Sequence, residues 1–409
     1  MIKKTNSDPL YIVLISIHGL IRGHNLELGR DADTGGQTKY VVELALALAR
    51  QPNVERVDLI TRQIIDSEVS PDYAEPIERL AENVHIVRIA AGPEGYIRKE
   101  ELWDHLDSFA DHLLSWLHGQ PRLPDILHSH YADAGYVGLR ISHWMGSSLI
   151  HTGHSLGRDK YRRLLALGLS IEEIEQRYHV IRGIDAEEET LSNADLVITS
   201  TRNEIIEQYE LYDCYTPEKM VIIPPGTDLD QFYPPSTVKT GIPFAESLKK
   251  SLHEPDKPMI LALSRPDVRK NIVGLLDAYG ESKRLQALAN LVIIAGNRDD
   301  IRELSDGPRA VLTELLLVID SYDLYGKVAL PKHHTSDEVA DIYRLAAISK
   351  GVFINPALTE PFGLTLLEAA ASGLPLVATE NGGPVDIIGN CRNGLLVAPL
   401  DKVAVAAAL

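Results

Sequence analysis

Only two cysteines, Cys214 and Cys391, occur in 409 residues, and they stand far apart. That excludes a disulfide-stapled scaffold and leaves no metal-finger or redox spacing. Also missing is any apolar run near the ~20 residues that a membrane-spanning helix needs. The opening "MIKKTNSDPLY" leads into an apolar run with a histidine and no small-residue cleavage site, so it is read as a first strand and not a signal peptide. The expected compartment is the cytoplasm. Positive charge is scarce: 40 Lys and Arg face 58 Asp and Glu, a net −18, which argues against nucleic acid or an anionic membrane as the main partner. An anionic substrate would need cations gathered locally against that field. Two fingerprints are absent as well. No G-x-G-x-x-G follows the first strand and no G-x-x-x-x-G-K-[ST] occurs. Their absence weakens dinucleotide oxidoreductase and P-loop nucleotidase readings.

What the chain does contain is alternation. The runs "YIVLISI", "RVDLITR", "VHIVRIA", "DILHSHY", "SLIHTG" and "LVITS" read as strands. Between them lie helical patterns. In "KEELWDHLDSFADHLLSWLHG", Leu102, Leu106, Phe109, Leu113 and Trp116 recur at steps of three and four. Residues 221–244 then gather five prolines and two glycines, a linker signature. A second series follows: "PMILALS", "LVIIAG", "KVALP", "GVFINPAL", "LPLVATE" and "GLLVAPL". The pattern predicts an α/β chain of two doubly wound domains, 1–225 and 251–409, joined by a linker region at 226–250. The last residues, "DKVAVAAAL", read as a helix cut short.

Ligands of open parallel sheets bind beyond the carboxyl ends of strands, and the chemistry-bearing residues cluster there. "DTGGQ" follows the first strand, where Gly35 and Gly36 allow close backbone approach and the next helix offers free N–H groups to an anion. A plain tight turn explains the two glycines equally well. In "NPALTEPFGLTLLEAAASG", Glu360 precedes a helix and Glu368 lies inside it, with seven residues between them. A carboxylate there suits sugar hydroxyls, and the Leu364 and Thr365 amides suit an anion; the plainer alternative is one capping and one solvated glutamate. Arg265 and Lys270 follow the first strand of the second series, placed to clamp a diphosphate, although either alone reads as a surface cation. "HTGHSLGRDK" packs His154, Ser155, Arg158 and Lys160 after a strand, with Arg182 downstream. His128, His130, His151 and His154 lack a carboxylate or cysteine to complete a tetrahedral zinc set.

These residues carry a resemblance. "HGLIRGHNLELGRDADTGGQTKYVVELA", "GHSLGRDK", "SRPDVRKN", "GNRDD", "LPKHHTSDEVADIYRLAA" and "NPALTEPFGLTLLEAAASGLPLVATENGGPVDI" resemble the sucrose-phosphate synthases, retaining glycosyltransferases of the GT-B type. The resemblance implies two facing Rossmann-like domains with a cleft between them, and transfer of glucose from UDP-glucose to fructose 6-phosphate. It implies that Arg265 and Lys270 hold the diphosphate with the amides at Gly363, Leu364 and Thr365, that Glu360 binds glucose hydroxyls, and that Glu368 binds the ribose. His154 would contact glucose near the anomeric carbon. Gly36 and Gln37 would face the joined substrates, and Lys99, Tyr131, Ser155, Lys160 and Arg182 would line the fructose 6-phosphate site.

The resemblance further implies no required metal and a separate sucrose-phosphate phosphatase to act on the product. Gly183 departs from the pattern, standing where relatives often carry a second arginine. Sucrose synthase, acting on free fructose, is the nearest alternative. A nucleotide-sugar epimerase and a non-catalytic nucleotide-sugar binding module are others from different classes.

Overall fold

A computed structural model describes residues 9–27, 30, 33–235, 243–335 and 337–409. Two compact units divide the chain between Pro224 and Pro225. The first unit holds β1 (Leu10–Ile15), β2 (Val54–Arg62), β3 (Ile77–Ala81), β4 (Val84–Ile89), β5 (Ile126–His130), β6 (Ser148–Thr152), β7 (Leu196–Thr199) and β8 (Met220–Ile222). The second holds β9 (Met259–Leu263), β10 (Asn290–Ile294), β11 (Val328–Ala329), β12 (Val352–Asn355), β13 (Leu376–Thr379) and β14 (Gly394–Val397).

The first sheet runs in the order β3-β4-β2-β1-β5-β6-β7-β8, with every neighbour parallel except β3, which runs antiparallel to β4 at the edge. The second runs β11-β10-β9-β12-β13-β14, all parallel. Parallel strands covered by helices on both faces carry apolar residues toward both, as β1 and β9 do. Tyr11, Val13 and Ile15 of β1 enter one core while Ile12 and Leu14 enter another across the sheet. In β9, Ile260 and Ala262 face one core and Met259 and Leu261 the other. Each fully buried side chain of this size contributes roughly 1.5–3 kcal/mol, so the sheets fix the fold.

Both orders reverse beside the first strand of their unit. β1 lies between β2 and β5, and β9 lies between β10 and β12. Loops leaving β1 and β5 therefore meet, as do those leaving β9 and β12, and each meeting point opens a crevice suited to a ligand. The end of the span 226–250 enters helix Pro243–Ser251, whose Phe244 and Leu248 are buried in the second unit's core. The helix expected across "KEELWDHLDSFADHLLSWLHG" is α-helical only from Leu106 to His118. Lys99–His105 forms tighter 3-10 turns, and the Lys99 N–H at their start donates to the Asp33 carboxylate at 3.1 Å. Among the described residues, no helix is long and apolar enough to cross a membrane.

Candidate active-site residues

In the second unit, β9 ends at Leu263 and its loop passes Arg265 before the turn Val268–Lys270. Asp267 caps that turn by accepting from the Arg269 N–H at 2.9 Å. Asn271 then adopts a left-handed backbone, φ 50°, and its amide donates to the carbonyls of Pro356 at 3.1 Å and Pro399 at 2.8 Å. The Leu358 N–H donates to the Arg269 carbonyl at 2.8 Å. The loop after β9 is thus stapled to the loop after β12, which brings Lys270 against Glu360. Lys270 Nζ donates to Glu360 Oε2 at 2.6 Å, and Asn355 Nδ2 donates to the same oxygen at 2.9 Å.

Glu360 is held by its backbone too. Its N–H donates to the Asn381 carbonyl at 3.1 Å, and its own carbonyl accepts from the Gly383 N–H at 2.9 Å. That approach explains "NGGP". A Cβ on Gly382, whose φ is 103°, would lie 2.2 Å from the Glu360 carbonyl oxygen. Gly363 precedes helix Leu364–Ala371 with φ 101°, a left-handed conformation that favours glycine. The Leu364 and Thr365 N–H groups open that helix, where no intrahelical acceptor is available. Glu368 lies a turn further in, buried, and its Oε2 accepts from the Tyr343 hydroxyl at 3.2 Å. Burial, then the Glu368 charge, raises the Tyr343 phenol well above its ordinary range, so it stays a donor. Lys270 and Glu360 therefore meet between the ends of β9 and β12, with Arg265 exposed on the loop after β9 and Glu368 on the helix that follows Gly363.

In the first unit, helix Gly36–Ala49 follows the loop from β1, and helix Tyr131–Met145 follows β5 directly. His18, in the loop after β1, meets Asp133, in the first turn of helix Tyr131–Met145, through a buried contact, Nδ1 to Oδ2, of 2.9 Å. The Gln37 amide donates to the Asp33 carbonyl. The "GRDAD" part of the motif falls largely outside the described residues. Two non-glycine residues take left-handed backbone at adjacent strand ends: Tyr131, φ 73°, and His154, φ 59°. Such strain persists where surrounding structure enforces it, and it concentrates at functional sites. Their rings lie 4.9 Å apart, and His130 Nδ1 sits 2.9 Å from His154 Nε2. Burial, with help from neighbouring histidines, pushes His128, His130 and His154 well down. His151 is pushed down by burial as well. The cluster is neutral at physiological pH. No group of three or more potential metal ligands is assembled among the described residues.

The cations surround the turn Lys99–His105. Lys99 Nζ lies 3.3 Å from Asp33 Oδ1, and the Tyr96 hydroxyl donates to Asp33 Oδ2 at 3.3 Å. Burial raises the Asp33 carboxyl, but the charge and N–H of Lys99 outweigh it and hold it below its ordinary value. Lys160 reaches Glu100 at 3.6 Å and lies 4.6 Å from the Tyr178 ring centroid. Burial, and then repulsion from Lys99, lowers its ammonium. Arg182 pairs with Asp104 at 2.7 Å, and Ser155 is exposed. Sequence reading missed Asn355, Asn381, Tyr343 and Asp33. The one available signal was Asn355, a polar residue closing the apolar run "GVFI".

Residues 34–231 match the model of Glycosyltransferase Family 4, and residues 243–409 that of Glycosyl transferases group 1. A probable sucrose-phosphate synthase 1 of Oryza sativa subsp. indica is 48% identical across 99% of this chain, which covers 43% of that protein. A sucrose-phosphate synthase of Zea mays is likewise 48% identical, with 98% of this chain and 44% of the relative aligned. The chain thus spans less than half the length of these curated relatives. Among solved structures, a sucrose-phosphate synthase from Thermosynechococcus elongatus matches with a TM-score of 0.71 and 28% identity, over 98% of this chain and 88% of that one. The chain belongs to the glycosyltransferases of the two-domain GT-B type and, within them, resembles the sucrose-phosphate synthases.

Proposed function

We propose that the chain transfers glucose from UDP-glucose to fructose 6-phosphate, giving sucrose 6-phosphate and UDP with the anomeric configuration retained. The observation that carries this reading is that one unit holds a diphosphate-type crevice and the other gathers Lys99, Lys160 and Arg182 about the turn Lys99–His105. In the crevice, Lys270, Arg265 and the amides of Leu364 and Thr365 offer positive charge to a diphosphate. Glu360, fixed by Lys270 and Asn355, presents its remaining oxygen to sugar hydroxyls. Glu368 accepts from the ribose, and His154, neutral, contacts the glucose. In the cluster, Lys99 and Lys160 repel one another, and a bound dianion relieves that repulsion. The relatives' names and their identity along the whole chain support the same substrates.

The reaction is a same-face displacement. The bond from the anomeric carbon to the UDP oxygen breaks as the acceptor hydroxyl oxygen bonds to that carbon. The hydroxyl proton passes to the departing phosphate oxygen, whose charge Arg265, Lys270 and the helix N-terminus stabilise. Those cations supply the charge that a metal supplies in other transferases, so no metal is required. The product is a phosphorylated disaccharide suited to a separate phosphatase.

Acceptor selectivity tests the reading. A charge-assisted hydrogen bond contributes about 1.5–3 kcal/mol, so Lys160→Ala or Arg182→Ala lowers kcat/KM for fructose 6-phosphate roughly ten- to a hundredfold. The slow rate with free fructose barely moves. A parent that prefers free fructose would replace this reading with the sucrose synthase one. Donor binding without any product would leave only a binding module.

A further inference from the structure

Lys160 rides on helix Gly157–Ala166, which buries none of its residues. With only a half-buried face against helix Val180–Asn193, its place depends strongly on how its ends are held. Its N-terminal end is held closely. Glu187, on helix Val180–Asn193, is buried, and both of its carboxylate oxygens accept from the Gly157 N–H, at 3.2 and 3.0 Å. The Tyr212 hydroxyl donates to the same carboxylate and accepts from the Arg158 N–H at 3.0 Å. Two of the helix's orphan N–H groups thus end on one carboxylate–phenol pair.

The approach is close by necessity. A Cβ on Gly157 would lie 3.0 Å from Glu187 Oε2 and 2.8 Å from a side-chain carbon of Ile184. Outside the pair, the Arg158 guanidinium reaches Glu188 at 2.5 Å and Asp213 at 3.0 Å. Lys160 sits on the first turn of this helix, its N–H donating to the Leu156 carbonyl at 3.2 Å. Whatever fixes the N-terminus therefore fixes the root of the Lys160 side chain. Neither Glu187 nor Tyr212 belongs to the substrate residues assigned above.

We propose that Glu187 and Tyr212 are positioning residues that hold Lys160 for the acceptor phosphate, and that they set selectivity without touching substrate. This rests on the functional reading given above, and the test separates the two.

Tyr212→Phe removes both phenol bonds with little change in volume. Amide hydrogen exchange across 157–166 should quicken by about tenfold or more, because local opening becomes easier. Fructose 6-phosphate KM should rise about tenfold, with kcat and UDP-glucose affinity changing by less than about twofold. In a Lys160→Ala background the same substitution should add nothing further to KM, which a general loss of structure would not produce. Glu187→Gln, which keeps an acceptor for Gly157, should give a smaller effect in the same direction. Unchanged exchange in Tyr212→Phe, or a KM effect that persists without Lys160, overturns the proposal. If the parent does not use fructose 6-phosphate at all, the functional reading fails, and the exchange arm alone decides whether the pair anchors the helix.

Discussion

Lys270→Ala is expected to damage stability as well as catalysis, and the structure sets the size of the damage. Lys270 and Glu360 form a 2.6 Å ion pair with side-chain exposures of 23% and 11%. Without the lysine, the carboxylate keeps the Asn355 amide at 2.9 Å but loses its counter-charge. Breaking a fully buried pair costs about 3–5 kcal/mol, and partial exposure trims this to roughly 2–3 kcal/mol. At about 2–4 °C per kcal/mol, a unit of this size should melt some 5–10 °C lower. Differential scanning calorimetry reads the shift directly. Lys270→Met combined with Glu360→Gln removes both charges and should recover most of the stability. That recovery would trace the melting loss to the carboxylate left without its counter-charge. The reasoning is refuted if Lys270→Ala melts at the parental temperature, or if the double variant melts no higher than the single one.

Other outcomes follow from the same geometry. Gly382→Ala forces a Cβ to 2.2 Å from the Glu360 carbonyl oxygen at φ 103° and should cost about 3 kcal/mol or more. Gly389→Ala, with nothing within 4 Å, should be neutral or stabilising by up to ~1 kcal/mol, and equal melting of the two variants would contradict this. Burial raises the Glu187 carboxyl from its ordinary 4.5 to about 7, against the Tyr212 and Gly157 bonds. The folded chain therefore keeps a proton that the unfolded chain releases. The stability contribution is full below about pH 4.5 and is lost as pH rises through about 7, an effect of a few kcal/mol. Chemical denaturation across this range should show Glu187→Gln with a flatter profile than the parent, and parallel profiles would refute the assignment. Glucosyl transfer should survive a strong chelator, and loss with rescue by manganese or magnesium would overturn the metal-free mechanism.

The strands that sequence shows best are those buried on both faces. β9 and β10 read as unbroken apolar runs because helices cover them on either side. β3, "IERLA", was invisible: it is a half-exposed antiparallel edge strand whose pattern resembles a polar loop. β8 is three residues long and runs into prolines, so it was lost in the linker signature. Glu360, Gly363 and Glu368 were legible because they sit within one short segment. Their supports were not. Lys270 and Glu360 are 90 residues apart, and Lys99 and Asp33 are 66 apart. Such pairs are set by which strands are neighbours, and strand order is not written in local pattern. His179, with φ 45°, separates helix Ile171–Tyr178 from helix Val180–Asn193, so Arg182 lies in the first turn of the second and pairs with Asp104.

The two units pack separate cores, and the candidate residues divide along the same line. Lys99, Lys160 and Arg182 draw on the cores around β1, whereas Arg265, Lys270, Glu360 and Glu368 draw on those around β9. Substitutions in groups that share no partners combine nearly additively. Under the proposed reading, rebuilding the Lys99–His105 turn to suit another acceptor would leave untouched the cores that stabilise the unit carrying Lys270 and Glu360.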